Sequence, residues 1–332
     1  MSCRHYHKGG DRKDSGRNGT FSKPNSNNRN GFNPRPTFFK PISRKDHSKM
    51  HPAFGLDMPN VELIYGLAPI QAALRQGRRE AYGLFIQAEF QGDMPRPRFE
   101  EVISLAESMG IPIKKVSSRA MSEVLNNSVH QGVILKTDIY ASTRLSDLGK
   151  FDNGQHEVVL KSGNVVYQPR RKFPLWLCLD GIQDTHNLGS IIRSALYFGI
   201  DGLLLGGEEY CRPTPTVSKT SSGAMECMNI HRIFKMDKVI ERAKADGWST
   251  ICTTTRTTAV ARNISIDELP ELDSPTIVVL GSEQSGISGP ILDLSDINVH
   301  IPERADTPEY IDSLNVGVAA GVVLSALKMP KA

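Results

Sequence analysis

The chain has 332 residues, 39% of them hydrophobic and 23% charged, enough for two domains of ordinary size with apolar cores, plus a tail. Its formal net charge of +4 is unevenly placed: residues 1–50 hold twelve Lys/Arg against three Asp, a balance of +9 that leaves −5 for the remainder. Five cysteines, Cys3, Cys178, Cys211, Cys227 and Cys252, form no CxxC pair, which argues against a disulfide framework and a metal site, and no run reaches the roughly 20 apolar residues of a membrane span.

Taken in chain order, residues 1–57 carry too few apolar positions to close a core and read as a disordered basic tail. Its charge suits a polyanionic partner, with a solvated linker as the alternative. The segment lacks the apolar core of a secretory signal; Arg4, Arg12, Arg17 and Arg29 suit a mitochondrial presequence, whereas Asp11 and Asp14 oppose an amphipathic helix. Residues 58–140 alternate as a small α/β module. Strands are expected at 63–66, 82–88, 111–116 and 129–135, with helices opening at Pro69 and spanning 99–108. Residues 141–173, with Lys150, Lys161, Arg170, Arg171 and Lys172 and little periodicity, read as an interdomain linker. From 174 to 332, apolar strands at 175–179, 202–205, 249–253, 276–280 and 298–301 are separated by helices at 187–198, at 236–245 and from Ser313 onward. That pattern predicts a parallel sheet covered on both faces.

The usual nucleotide cradles are missing, since Gly202–Gly207 is not GxGxxG and Gly281–Gly286 lacks the Lys-Ser/Thr of a P-loop. Three other stretches carry the chemistry. In Asn187-Leu188-Gly189-Ser190-Ile191-Ile192-Arg193 the apolar residues fall at helical spacing, so Arg193, Ser190 and Tyr197 take the opposite face, at the carboxyl end of a strand where open α/β sheets bind ligands. Asp184, Thr185 and Asn187 are candidate caps for that helix. In Leu280-Gly281-Ser282-Glu283-Gln284-Ser285-Gly286 a strand runs into a loop, and Gly281 lets backbone approach a ligand closely. In Ser313-Leu314-Asn315-Val316-Gly317-Val318-Ala319-Ala320-Gly321, Ser313 is a plausible cap, and Ser313 and Asn315 stand at a helix start suited to an anion.

The order and spacing of these three stretches resemble the signature motifs of the SpoU (TrmH-type) RNA ribose 2′-O-methyltransferases of the SPOUT superfamily. Pro215-Thr216-Val217-Ser218-Lys219-Thr220-Ser221-Ser222-Gly223-Ala224-Met225-Glu226 narrows the likeness to the mitochondrial large-subunit rRNA branch. Similarly, Ile64–Ile70 and His130–Val133 resemble the two ends of the L30e-like substrate-binding domain that precedes many such catalytic domains, with a generic α/β domain and a structural His130 as the alternative.

The resemblance implies a deep trefoil knot, which no periodicity reveals, an S-adenosylmethionine (SAM) loop with cofactor contacts at Gly281, Ile301 and Leu314, and no metal. It implies catalytic roles for Asn187, Arg193, Glu283, Ser313 and Asn315, a homodimer, a mitochondrial location with the cytoplasm as alternative, and rRNA as partner. The family usually has Ser where this chain has Gly317. The reaction implied is attack of a ribose 2′-hydroxyl, expected on guanosine, on the SAM methyl group. The family's proposed base is Arg193, yet a guanidinium is effectively always protonated, so an electrostatic clamp on phosphate and developing alkoxide is preferred. Two rivals are a transfer-RNA or bacterial-type rRNA methyltransferase of the same fold, and a knotted RNA-binding assembly factor that has lost catalysis.

Overall fold

The computed structural model describes residues 52–55, 60–88, 97–254, 258, 261–303 and 313–327. Residues 1–51 of the expected tail lie outside them. Within 52–55, Phe54 is buried and its ring packs 4.6 Å from that of Phe85, so chain order reaches further back than the expected boundary at 57.

The first module comprises β1 (Val61–Tyr65), α1 (Leu67–Gln76), β2 (Ala81–Gln87), α2 (Pro97–Ser108), β3 (Ile113–Val116), α3 (Ser118–Val124) and β4 (Val133–Asp138). Its sheet has the order β1-β4-β2-β3. Successive side chains on a strand alternate between faces, so Ile64, Leu84 and Leu135 pack under α1 and α2 while Tyr65, Phe85 and Ile134 pack toward α3 and Phe54. The expected strand at 129–135 starts late, because Asn126, Asn127 and Gln131 adopt positive φ and turn the chain before β4 can pair.

Residues 141–173 are not a linker. They form β5 (Thr143–Asp147), β6 (Phe151–Asp152), β7 (Gln155–Leu160) and β8 (Gly163–Tyr167). β5 pairs in parallel with a strand of the second domain, β7 folds back antiparallel on β5, and β6 and β8 pair antiparallel with β7, burying Leu145, Leu148, Val158 and Leu160 beside Trp176 and Trp248. The turn between β6 and β7 places Asn153 and Gly154 both at positive φ, the geometry an Asn-Gly hairpin turn favours.

The second domain continues with β9 (Leu175–Asp180), α4 (Thr185–Tyr197), β10 (Gly202–Gly206), α5 (Pro215–Thr220), α6 (Ala224–Cys227), β11 (Ile230–Arg232), α7 (Met236–Ala245), β12 (Ser249–Thr253), β13 (Arg262–Ser265), β14 (Thr276–Gly281), α8 (Gly289–Leu292), β15 (Ile297–His300) and α9 (Val316–Ala326). Strands β13-β15-β12-β14-β9-β10-β11-β5 lie side by side, all parallel. β9 is buried along its whole length. Leu175, Leu177 and Leu179 face the layer of α4, α5, α6 and α9, while Trp176 and Cys178 face α7 and α8. Fully burying one such large apolar side chain contributes about 1.5–3 kcal/mol, so the central strand anchors both layers and fixes where its carboxyl end, the start of the site, emerges.

The two domains meet through a buried ion pair. Arg79, between α1 and β2, donates to both oxygens of Glu226 on α6, at 2.7 and 3.0 Å, and also to Glu62. Ser218 Oγ donates to Glu226 at 2.7 Å, and the Arg79 guanidinium lies 5.0 Å from the Tyr140 ring centroid. Burial disfavours the Arg79 charge, but Glu226 and Glu62 outweigh it and hold its pKa above the ordinary value. Arg78 adds a bond to the Met228 carbonyl at 2.6 Å. Gly223, at φ +85, lets α6 begin hard against α1: a Cβ there would stand 2.7 Å from the Ala68 carbonyl oxygen and 2.9 Å from Ala72 Cβ.

Candidate functional site

α4 begins where β9 ends. Asp184 caps it, its carboxylate accepting from the backbone N–H groups of His186 at 2.8 Å and Asn187 at 2.9 Å, so the cap is Asp184 and Asn187 is free to project. Leu188, Ile191, Ile192 and Ala195 are buried as the helical spacing predicts, while Arg193 is exposed and Ser190 half-buried. The helix interior carries Gly189 because α5 crosses there: a Cβ would collide with the Thr220 side chain and stand 2.9 Å from the Ser221 backbone nitrogen.

β14 ends at Gly281, paired with Asp180 at the end of β9. The following loop closes on itself through the Ser282–Gly286 bridge and a 2.8 Å contact between the hydroxyls of Ser282 and Ser285. Buried Asp180 accepts from the backbone N–H of Ser288 at 2.9 Å and ties the loop's far end to β9. A Cβ on Gly281 would run into the backbone of Gly286 and Ile287. The loop's own chain thus supplies the crowding that glycine relieves here, rather than a ligand alone.

Asn315, not Ser313, caps α9: its side-chain oxygen accepts from the N–H groups of Gly317 at 2.9 Å and Val318 at 3.3 Å, and the helix starts at Val316 rather than at the expected Ser313. Ser313 lies exposed two residues before the cap. A Cβ on Gly317 would collide with the Ser190 hydroxyl, so at this crossing of α4 and α9 the hydroxyl is carried by α4.

The three stretches converge on one side chain. The Asn187 amide donates to the Glu283 carboxylate, and its oxygen accepts from the Asn315 amide at 2.9 Å. A relay therefore runs from the loop after β14, through the start of α4, to the cap of α9, across 128 residues of chain. Beside it lies a pocket of about 480 Å³ lined by His186, Asn187, Ser190, Thr220, Asn315, Gly317 and Val318. Arg193 stands on the neighbouring face, donating to Ser222 Oγ at 3.2 Å, with no carboxylate partner among the described residues. Ser222 is held at φ +53 by the turn that ends α5.

Ile301, just past β15, shares the carboxyl edge of the parallel sheet with Gly281, and Leu314 stands half-exposed beside Asn315. None of Gly281, Ile301 and Leu314 lines the pocket beside the relay. Sequence reasoning singled out neither His186 nor Thr220 nor Ser222 as site residues; the signal was the long Ser/Thr-rich run from Pro215 to Glu226, which carries two of the three. Both ring nitrogens of His130 find partners within the module: Nδ1 accepts from Gly132 N at 3.0 Å and Nε2 lies 3.3 Å from Ser122 Oγ, and burial, then Lys219, lowers its pKa. Among the described residues no cluster of His, Cys, Asp or Glu has the makings of a metal site.

Comparison with known proteins matches both domains of the chain. A model of the SpoU rRNA Methylase family matches residues 174–325, and one for RNA 2′-O ribose methyltransferase substrate binding matches residues 63–143. The Homo sapiens protein named "rRNA methyltransferase 1, mitochondrial" is 29% identical over 272 residues, covering 80% of this chain and 72% of that protein. Its namesake in Schizosaccharomyces pombe is 31% identical over 283 residues, covering 80% and 89%. An AdoMet-bound rRNA methyltransferase structure from Sinorhizobium meliloti superposes with a TM-score of 0.59 at 20% identity, covering 81% of this chain and 87% of that one, a likeness of fold. With its three motifs joined at Asn187 and both family models matched in their expected order, the chain belongs to the SpoU rRNA methylase family.

Proposed function

We propose that this protein transfers the methyl group of SAM to the 2′-hydroxyl of a guanosine ribose in mitochondrial large-subunit rRNA. The observation that carries this reading is the Glu283–Asn187–Asn315 relay, which joins the loop after β14, the start of α4 and the cap of α9 beside a pocket and an uncompensated arginine. The location and the rRNA target are supported by the names of the human and fission-yeast relatives. Guanosine rests on the resemblance carried by residues 215–226.

The chain's own groups fit the cofactor. The tightly closed loop after Gly281 leaves polar backbone at the sheet's carboxyl edge, and Ile301 and Leu314 supply apolar faces there for an adenine ring. SAM supplies a methyl group on a sulfonium with a good leaving group, so the protein's task is to position a ribose and to ease loss of a weakly acidic proton. Asn187, its amide oriented by Glu283 and Asn315 beside the pocket, orients the ribose. Arg193 clamps phosphate and developing alkoxide, Ser313 contributes a hydroxyl ahead of the α9 cap, and residues 58–140 select the RNA.

The protein acts as a homodimer. In support, α9 is apolar apart from Ser325, yet Val318 is 54% and Val322 38% exposed, along a shallow pocket shared with Phe198 and Gly321. A helix hydrophobic all round is normally covered, and a twofold contact covers it at one stroke.

Methyl transfer to RNA by wild type and Asn187→Ala, alongside SAM affinity by calorimetry, tests the reading. Loss of transfer with SAM affinity kept supports it; undiminished transfer by Asn187→Ala refutes the role given to the relay.

A further inference from the structure

Lys219 stands at the seam between the two domains, on α5. Its ammonium donates to the Gln131 side-chain oxygen at 2.8 Å, and that oxygen also accepts from the Leu67 N–H at 3.2 Å. The first turn of the N-terminal module is shaped around it. Gly66, at φ +91, puts its backbone where a Cβ would collide with the ammonium, and Gln131 is itself held at φ +57. Gly66 and Gln131, which meet Lys219, belong to the two ends of the module that resemble a substrate-binding domain.

The cation is not neutralised. No carboxylate pairs with it among the described residues, and partial burial disfavours its charged form. One turn along, the Ser222 N–H donates to the Lys219 carbonyl at 3.0 Å, while the Ser222 hydroxyl accepts from Arg193. Two cations without a carboxylate partner among the described residues thus flank one short turn, Arg193 on α4 and Lys219 on α5 against the module. The buried Arg79–Glu226 pair fixes the module against α6, so this spacing is set by the fold rather than by a loose tether.

We infer that Lys219, cradled by Gly66 and Gln131, is a backbone-phosphate subsite for the RNA strand next to the nucleotide held at Arg193, and that the strand crosses the domain seam there. The subsite deepens the function proposed above and rests on it. A phosphate at this point supplies the counter-charge that the seam lacks, and contacts of this kind set the register of a nucleic acid without reading its sequence. Ser222, exposed between Arg193 and Lys219, gives the strand a point of contact between the catalytic domain and the module.

The test uses the full chain, an unmodified in-vitro transcript of large-subunit rRNA, and filter binding from 50 to 200 mM salt. Lys219→Gln keeps a polar group for Gln131 and removes the charge. It should flatten the slope of log affinity against log salt by about 0.7, the share of one phosphate on a single strand, so that the wild-type advantage shrinks about 2.6-fold over that range. Lys219→Arg should keep the slope, and both variants should keep SAM affinity. An unchanged slope in Lys219→Gln overturns the inference. So does equal weakening of both variants at wild-type slope with a lowered melting temperature, which marks Lys219 as a structural strut. If wild type transfers no methyl group to RNA, the underlying function fails, whatever the Lys219 variants do.

Discussion

Arg193 separates chemistry from folding more sharply than any other residue of the site. Its side chain is exposed, makes one 3.2 Å hydrogen bond to Ser222 and pairs with no carboxylate among the described residues. Arg193→Ala should therefore change folding stability by no more than about 0.5 kcal/mol, as surface substitutions do. Loss of a preorganised donor aimed at developing negative charge should cost far more: about a hundred- to a thousand-fold in turnover, or about 3–4 kcal/mol. Thermal denaturation, calorimetric SAM titration and single-turnover methyl transfer together resolve the two effects. Arg193→Lys then distinguishes clamp from base. An ammonium can lose its proton but cannot reproduce a planar, bidentate grip on phosphate, so Lys should rescue little and add no new pH dependence. Substantial rescue growing with pH would refute the clamp, and full activity in Arg193→Ala would refute both roles.

Three further outcomes follow from the packing. Arg79→Met leaves Glu226 buried and unpaired and should cost about 3–5 kcal/mol in denaturant unfolding; adding Glu226→Gln should recover a large part, and no recovery would mean that the pair is not what joins the domains. Burial lowers the pKa of His156 to about 4, and burial followed by Arg78 does the same to His231. Both rings fold neutral against an unfolded value near 6.5, so their stabilisation is full above that pH and is lost as pH falls toward 4, about 2 kcal/mol per ring by pH 5. His156 makes no hydrogen bond through either ring nitrogen, so His156→Phe should reduce that loss, and an unaltered pH slope would contradict the assignment. Gly281→Val should weaken SAM binding by distorting the loop at Gly286–Ile287 while RNA binding persists; wild-type SAM affinity would place the cofactor elsewhere.

What the sequence made legible follows from period and capping chemistry. Strands such as β9 and β14 are uninterrupted apolar runs, and α4 carries its buried face at helical spacing, so both could be placed before any fold was known. The segment 141–173 was misread because basic residues masked short strands, although the hairpin pair Asn153-Gly154 lay in plain view. The cap of α9 was assigned to Ser313 because Ser and Asn both favour that position; which one serves depends on where Val316 and Gly317 pack against α4. The Asn187–Glu283–Asn315 relay and the Arg79–Glu226 pair join residues 96 to 147 positions apart, and no local pattern encodes such distances. The motifs named the relay's members through family likeness, whereas Arg79, Glu226 and Lys219 carried no signal as a group.

The central claim is tested most directly by locating the transferred methyl group. Wild-type protein is incubated with methyl-labelled SAM and total mitochondrial RNA, and the labelled nucleotide is mapped and checked for resistance of its 3′ phosphodiester to alkali. The account predicts a single labelled guanosine in large-subunit rRNA, alkali-resistant because its 2′-oxygen is methylated. Label on a base, label confined to transfer RNA, or no label at all would contradict it.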